Sequence, residues 1–550
     1  MDQIKEIPLL PINSYELEAH LTQVGLSVLK AGKEYHFSRK STGVEDCDFL
    51  QSVIIEFTAE IKTDFIAYYG IDQASLKAGT SVRIQTEELP QDVAYDAAFH
   101  AKERNLNVVD PKLTFSFRTT RFIQTMLQVG KTFLYNQRAS YRNRKIRPAR
   151  FPVPSPGKFR LLMSTYHRNT IFTLTPVQDR LKDRQDVSQL YIANRYETYC
   201  RLLQLGYPGI INGWSIRTDV KIVLKEAVLQ DFLNEYFRTY FPYGQATDFF
   251  KKRFYEKLKQ KLLFVTALYS PMQRVLDKYQ PHVLLISSCS TADAQVLIHL
   301  CAARNVRVIE MTHGMFQDTP LLEFQNVPVK LVWCERQRDL MKKYRPDVEC
   351  HVIGNPKHDE LLEKFRNEPP PRTIDKPYVL FASTPGNNIS ISWVTYVKIL
   401  KEFIEVAKAC PDLFFIVKLH PSEDLDKVQQ VAKVAEAPGN FGVAQSQNVY
   451  ELLFHAEIVM VLTSTVGFEA LLWNKKLICY TIPNSDKWLP FTEYNLAMSA
   501  ANKEELLACI RFFLVHESLT LNNPNREYFA FSDGTAIDKM LSLTLTGHTG

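Results

Sequence analysis

From Phe159 onwards the chain repeats one pattern, a short apolar run, a polar turn and then a segment with helical spacing. The runs RLLMS, QLYIAN, HVLLISS, VRVIEM, KLVWCE and CHVIGN form a first set, and YVLFAS, FFIVKLHP, FGVAQ, IVMVLTST and KLICYTI form a second that begins near Pro377. Strands that alternate with helices pair in parallel through right-handed crossovers, with helices covering both faces. The fold class expected is therefore α/β, with two facing Rossmann-like domains over residues 151–355 and 356–550 and an N-terminal accessory region over residues 1–150. Two such domains in tandem bring the carboxyl ends of their strands to a shared cleft, where open α/β sheets bind ligands.

Two consecutive strand-to-helix turns in the second set carry the chemistry. In FFIVKLHPSED the apolar run Phe414 to Val417 ends in Lys418, Leu419, His420 and Pro421, and Glu423 and Asp424 open a helix. In VMVLTSTVGFEALLW, Val459 to Leu462 read as a buried strand, and Thr463, Ser464 and Thr465 stand where a helix N-terminus presents free N–H groups. Hydroxyl residues with Gly467 nearby let backbone and side chain approach a pyrophosphate together, while Lys418 and His420 add positive charge. Glu469, one turn into the helix, points back to the same mouth and suits a ribose hydroxyl. Taken singly, His-Pro is also a structural turn and Ser-Thr a helix cap. In the order strand, KLHP, helix, strand, TST, helix, they point to a donor site.

These residues resemble a family. The C-terminal half is similar to the GT-B glycosyltransferases that build bacterial surface polymers, the group with CDP-glycerol glycerophosphotransferases, polysialyltransferases and capsule Kdo transferases. More distantly it resembles the non-hydrolysing UDP-N-acetylglucosamine 2-epimerases. The matching pieces are Thr312-His313-Gly314, Val352 to Pro356 with Asp359, Lys418 to Pro421, Ser464 to Ala470, and Asp533 to Ala536, within roughly residues 280–545. The resemblance implies a nucleotide-sugar donor, CMP- or CDP-linked before UDP-linked, no cofactor, no bound metal, and a glycan or lipid-linked acceptor. It also places the His-Gly turn at the reaction centre and Asn355 near the donor, although a bare turn and hinge is the other reading of Gly354-Asn355-Pro356. This chain reads HGMFQDTP where the glycerophosphotransferases have Thr-Pro directly after His-Gly, which leaves the acceptor type open.

His313 follows an apolar strand and precedes a glycine, so it is expected at the sheet's carboxyl edge as the base that takes the acceptor hydroxyl's proton. Capping the strand or binding donor phosphate are its alternative roles. Asp318, Asp293 and His167 are the alternative bases, with Asp293 and Glu335 also suited to the first turn of a helix. Ser383 and Thr384, followed by Gly386, form a turn that either reaches a phosphate or is a polar loop. The site set is His313, Asp318 and His420 for catalysis, and Lys418, His420, Ser464, Thr465, Glu469, Asn355, Ser383 and Thr384 for the donor.

Composition excludes several other classes. A net charge of +6 over 550 residues gives no reason to expect nucleic-acid binding. Nine cysteines, odd in number and without a CxxC pair, fit neither a disulfide framework nor a zinc site. No apolar run is long enough to cross a bilayer, so a cytoplasmic or peripheral location is expected. The accessory region offers mixed signals, including alternating VIIEF and DFIAYY pieces, and its fold is not legible. It ends in a basic stretch from Arg138 to Arg150, read as a solvated linker or as a surface for anionic lipid or an acidic glycan. A sugar-nucleotide epimerase and a non-catalytic assembly protein are the rival functions.

Overall fold

The computed structural model describes residues 5–7, 15–44, 48–73, 81–84, 97, 101, 104, 106–108, 157–165, 170–207, 209–213, 216, 218, 222–385, 391, 393–462, 464–482 and 490–545. The basic stretch, His167, Gly386 and Thr463 lie outside the described residues.

Near the N-terminus, β1 (Lys5–Ile7), β2 (Ser81–Ile84) and β3 (Asn107–Val108) form a small parallel sheet. The first large sheet comprises β4 (Phe159–Ser164), β5 (Val187–Ile192), β6 (Ile210–Ile211), β7 (Val283–Ile286), β8 (Arg307–Met311), β9 (Val329–Val332) and β10 (Glu349–Val352). Its seven strands run parallel in the order β10-β9-β8-β7-β4-β5-β6. The second comprises β11 (Tyr378–Ala382), β12 (Phe414–Lys418), β13 (Phe441–Ala444), β14 (Ile458–Val461), β15 (Lys476–Tyr480) and β16 (Met498–Ala500). These six are parallel in the order β13-β12-β11-β14-β15-β16. The two orders follow one rule: the first strand is central, the next two extend to one side, and the fourth starts the other. The reversal falls between β4 and β7 in one sheet and between β11 and β14 in the other, the point at which Rossmann-like sheets open a crevice.

The pieces VIIEF and DFIAYY lie in one 25-residue helix, Phe49–Gln73. Its buried residues Val53, Ile54, Phe57, Ile61 and Phe65 recur at helical spacing, which overrides the local alternation. This helix packs against both Tyr15–Glu34 and the long helix Asp248–Tyr279, and Phe57, Phe254, Leu262 and the sheet residues Leu162, Leu284 and Ile286 share one continuous core. Asp64 adds ion pairs to Arg253 (3.1 Å) and Lys257 (2.6 Å). The N-terminal helices thus complete one face of the first sheet.

The opposite face is covered in part by the chain's end. In the helix Ala536–Leu545, Met540 is fully buried in a core with Leu161, Met163, Leu285 and Ile309. Asp359 holds its start by accepting the Ala536 N–H (2.9 Å) and the Ser532 hydroxyl. Gly354, at φ +85°, makes the turn beneath, where a side chain would be strained in conformation and would meet the Phe531 carbonyl at 3.4 Å.

Candidate functional site

Three turns at the carboxyl edge of the second sheet are tied together. Ser383, just beyond β11, donates from Oγ to Glu423 Oε1 (2.8 Å), and Glu423 Oε2 accepts the His420 N–H (2.6 Å) beyond β12. Glu423 therefore acts as a clasp as well as preceding the helix Leu425–Val434, whose cap is Asp424. Lys418 is buried, and its Nζ donates to the carbonyls of Leu419 (2.8 Å) and Gln445 (2.9 Å). Burial pushes its ammonium below the ordinary lysine value, with Glu423 opposing. Its charge braces the turn from within instead of facing the cleft. His420 is exposed; its Nδ1 accepts the Ser422 N–H (3.2 Å), so in the neutral ring the proton sits on Nε2 and points outward as a donor.

Beyond β14, Ser464 Oγ accepts the Val466 N–H (3.3 Å) and Thr465 is exposed at the start of the helix Val466–Leu472. Gly467 has a packing role: a Cβ there would meet the Phe491 ring at 2.6 Å, so the glycine admits an aromatic cluster and not a ligand. Glu469 is the most informative residue of this edge. Its side chain is 9% exposed, Oε1 lies 3.5 Å from His358 Nε2, and Oε2 is buried without a hydrogen-bond partner. Tyr450 and Lys357 stand close by, joined hydroxyl to ammonium at 3.2 Å. Burial pushes the Tyr450 hydroxyl pKa up, with the Glu469 charge adding to it.

In the first sheet His313 emerges just beyond β8 and is exposed. Its Nδ1 lies 2.9 Å from the Ser287 carbonyl, which can only accept, so Nδ1 carries the proton and the neutral ring offers the Nε2 lone pair. The backbone thus sets His313 and His420 in opposite tautomers, one presenting an acceptor and the other a donor. Carbonyls of the His313 turn are gripped in alternation: Trp333 Nε1 donates to Thr312 O (2.8 Å), Gln337 Nε2 to Gly314 O (2.8 Å) and Arg336 Nη1 to Phe316 O (2.7 Å). Trp333 also meets the His358 ring edge-on at 5.2 Å, and Arg336 lies over Phe529 at 5.5 Å. A continuous path of contacts therefore runs from the His313 turn through Trp333 and His358 to Glu469.

The remaining candidates have other partners. Asp318 accepts from Lys343 (2.9 Å to each oxygen) and Tyr344 (2.6 Å). Burial raises its pKa, but these donors outweigh it and hold the carboxyl below its ordinary value, which makes Asp318 a counter-ion and a poor base. Asn355 caps the helix Pro356–Asn367 through Oδ1 to the Lys357 N–H (3.1 Å). Thr384 is buried beside Ser383. Asp293 is buried and accepts from Asn194 Nδ2 (2.7 Å), and Glu335 opens the helix Glu335–Tyr344 and pairs with Arg338. Sequence reading missed Glu423 as a clasp, Trp333 and Gln337 as grips, and His358 as the neighbour of Glu469. Only His358 carried a usable signal, one turn past the Asn355-Pro356 helix start. Among the described residues, no three His, Cys, Asp or Glu side chains gather as metal ligands would, and no helix is long and apolar enough to cross a membrane.

Residues 392–488 match the family described as capsule polysaccharide biosynthesis protein. The matched segment contains the turns after β12 and β14, two of the five pieces that carry the capsule-type resemblance; the other three lie outside it. Among curated protein sequences, none matches the chain. Solved structures with a similar backbone include the UDP-GlcNAc 2-epimerase from Methanocaldococcus jannaschii (14% identity, 70% of this chain and 99% of that one, TM-score 0.47). They also include that from Neisseria meningitidis bound to UDP-GlcNAc (14%, 70% and 99%, TM-score 0.45) and Acinetobacter baumannii MurG (12%, 70% and 99%, TM-score 0.42). These likenesses are too distant to bear on the site. The expected α/β class with two Rossmann-like parallel sheets is the one observed.

Proposed function

We propose that this protein is a glycosyltransferase of surface-polysaccharide assembly that moves a sugar or polyol phosphate from a CMP- or CDP-linked donor to a glycan or lipid-linked acceptor. The observation that carries the reading is Glu469, whose buried Oε2 lacks a partner beside the reversal point of the second sheet. A carboxylate oxygen out of water and unpaired is costly, and a ribose hydroxyl donated to it removes that cost. His420 Nε2–H with the Ser464 and Thr465 hydroxyls would receive the donor phosphate, and Lys418, Ser383, Thr384 and Asn355 would brace the turns that present them. His313 Nε2 would take the proton of the acceptor hydroxyl as that oxygen attacks the donor, while His420 offsets the charge leaving on the phosphate. The reading includes transfer without a divalent ion, tested by activity in EDTA, and peripheral attachment through Arg138 to Arg150, tested by salt release from anionic vesicles.

Epimerisation is the weaker reading. Moving a proton off one face of a sugar carbon and onto the other needs two free acids. Among the described acids at the first sheet's carboxyl edge, Glu310 is paired with Lys330, Asp318 with Lys343, Glu335 with Arg338 and Glu56 with Lys261, and Asp293 accepts from Asn194. Incubation of the full chain with CMP-, CDP-, UDP- and GDP-linked donors, following nucleotide release and sugar epimerisation, discriminates these readings. Release from one nucleotide class, with about tenfold weaker nucleotide binding in Glu469→Gln, is expected. Release from none, or unaltered binding in the variant, refutes the reading.

A further inference from the structure

Two loops of the first sheet fix His313, and the N-terminal helices hold both. His313 opens the loop from β8 to β9, and its ring rests on the Ser287 carbonyl in the loop from β7 to the helix Ala292–Ala302. The β8–β9 loop contains one short 3-10 helix, Pro320–Phe324, that packs against both Tyr15–Glu34 and Phe49–Gln73. Phe324 at its end is 1% exposed and shares a core with Leu21 and Val24 of the first helix and Phe57 of the second. Gly25 makes room for the ring: a Cβ there would meet Phe324 Cζ at 2.5 Å and Thr58 Cγ2 at 3.0 Å. The notch between the two helices is therefore shaped to this one side chain.

The Ser287 loop is held from the same side. Glu56 accepts the Ala292 N–H at 3.0 Å, and Ser52 Oγ lies 3.0 Å from His299 Nδ1, so the helix Phe49–Gln73 grips at two points the helix into which that loop runs. The two loops are also tied to each other. Gln295 Nε2 donates to the carbonyl of Cys289 (2.7 Å) in one and of Asn326 (3.3 Å) in the other. Beneath them Lys330, buried and paired with Glu310, donates from Nζ to Gln325 Oε1 at 2.5 Å. Buried contacts of this kind have one good arrangement, so a shift of either loop is passed to the other. Trp333, Gln337 and Arg336 hold the near half of the β8–β9 loop, at Thr312, Gly314 and Phe316. The far half is held by Arg345, through the Gln325 carbonyl at 2.8 Å, and by the Phe324 notch.

We infer that Gly25 and Phe324 are positioning residues of the His313 site: the N-terminal helices, through the Phe324 notch, set where the His313 ring stands on the Ser287 carbonyl. The inference rests on the glycosyltransferase reading for what His313 does, and on these contacts alone for where His313 is held. The donor turns belong to the second sheet, so displacing Phe324 slows the chemical step and spares nucleotide binding. A packed cover without this role would change stability only.

The test uses the full chain with Gly25→Ala, Phe324→Leu and the double variant. Two properties are read beside the melting temperature: donor turnover with its KM, and the imidazole NMR signals of His313 in histidine-labelled protein at about pH 8, where a free imidazole is neutral, assigned by their loss in His313→Asn. Alanine is the better helix former, so lost activity in Gly25→Ala does not follow from a weaker helix. The added methyl is expected to push the Phe324 ring outward, lowering kcat about tenfold with donor KM within about twofold, and to move the His313 signals off the Nδ1–H pattern. Phe324→Leu removes the atoms that the methyl meets. Alone it should cost about threefold in kcat, and the double variant should return to within about threefold of the parent. Unchanged kcat and His313 signals, a fall in melting temperature alone, a raised donor KM with kcat kept, or a double variant no better than Gly25→Ala overturns the inference. Should Gly25→Ala not fold, Phe324→Leu decides by the same two readings. No turnover of any donor by the parent sinks the transferase reading alone, because the His313 signals still report whether the N-terminal helices hold the ring.

Discussion

The two large sheets reach their reversal points by the same strand order and furnish them in opposite ways. Between β4 and β7 the following helix begins at Ala292, and its first amide is taken by Glu56 from a distant part of the chain. Between β11 and β14 the following helix begins at Val466, Thr465 before it is exposed and without a capping bond, and Glu469 in its first turn has one oxygen unpaired. The first helix start is met by a carboxylate, whereas the second keeps an exposed threonine, and the turn after β12 in the same sheet carries an outward histidine N–H. Topology places a crevice in each sheet, and side chains furnish the two differently. The N-terminal helices therefore do more than cover a face, because Glu56 on one of them takes the first amide of the Ala292 helix.

If that division of labour holds, substitutions at the two histidines break different steps. His313→Ala should lower transfer by about 10²–10⁴ while donor affinity is kept, since a base acts at the chemical step. Single-turnover rates beside nucleotide titration check this, and weakened nucleotide binding with an unchanged rate would move His313 to the donor side. His420→Ala should cost about 2–4 kcal/mol of transition-state stabilisation and weaken the nucleotide as well. Normal donor kinetics in a folded variant remove it from the second crevice.

The path joining the crevices can be cut with a smaller expected effect. Trp333→Phe keeps the ring against His358 and deletes the N–H bonded to the Thr312 carbonyl. A fall of about tenfold in kcat with little change in donor KM is expected, because the His313 turn loosens while the Glu469 side is undisturbed. A stability loss with unaltered kcat would make Trp333 a packing residue only. Next in size, Glu56→Gln should lower stability by about 1 kcal/mol in denaturant titration by removing charge from the Ala292 helix start and from the Lys261 pair (2.7 Å). An unchanged unfolding midpoint would make the Glu56 contacts neutral for folding.

How much of this could be read from the chain alone follows from the range of the interactions. Strand-helix alternation is local, so both sheets were legible from Phe159 onwards except for their short edge strands Ile210–Ile211 and Met498–Ala500, which are too brief to show a pattern, and the turns after β12 and β14 were legible because residue type and position agree there. What was hidden is long-range. VIIEF and DFIAYY looked alternating because a five-residue window does not hold a full helical face, and only the packing against Phe254 and Leu262 shows it. Lys418 looked like a phosphate ligand by charge, yet the nearby carbonyls that engage it include Gln445 on another turn. Gly467 looked like room for a ligand, and the Phe491 ring that fills that room is a tertiary neighbour. The Glu56 contact with Ala292 joins residues that no local pattern relates.

Asp318 gives the smallest effect and the control for His313. Its carboxyl is held below the ordinary value by Lys343 and Tyr344 against the opposing influence of burial. A group with a folded pKa below its unfolded value, about 3.9 for aspartate, contributes stability that is fully present above the unfolded value. That stability is lost as pH falls through the folded one. Asp318→Asn should therefore destabilise the protein slightly near neutral pH and not at all once the carboxyl is protonated in both folded and unfolded states, so parent and variant unfolding curves converge as pH falls through the folded value. With the side chain 36% exposed and Lys343 50% exposed, screening keeps the gap below about 1 kcal/mol. Transfer should stay within about twofold of the parent, since a carboxylate filled by three donor contacts has little capacity to take a proton. A large loss of transfer with donor binding intact would make Asp318 the base and return His313 to binding, which would undo the contrast between an acceptor-side lone pair and a donor-side N–H.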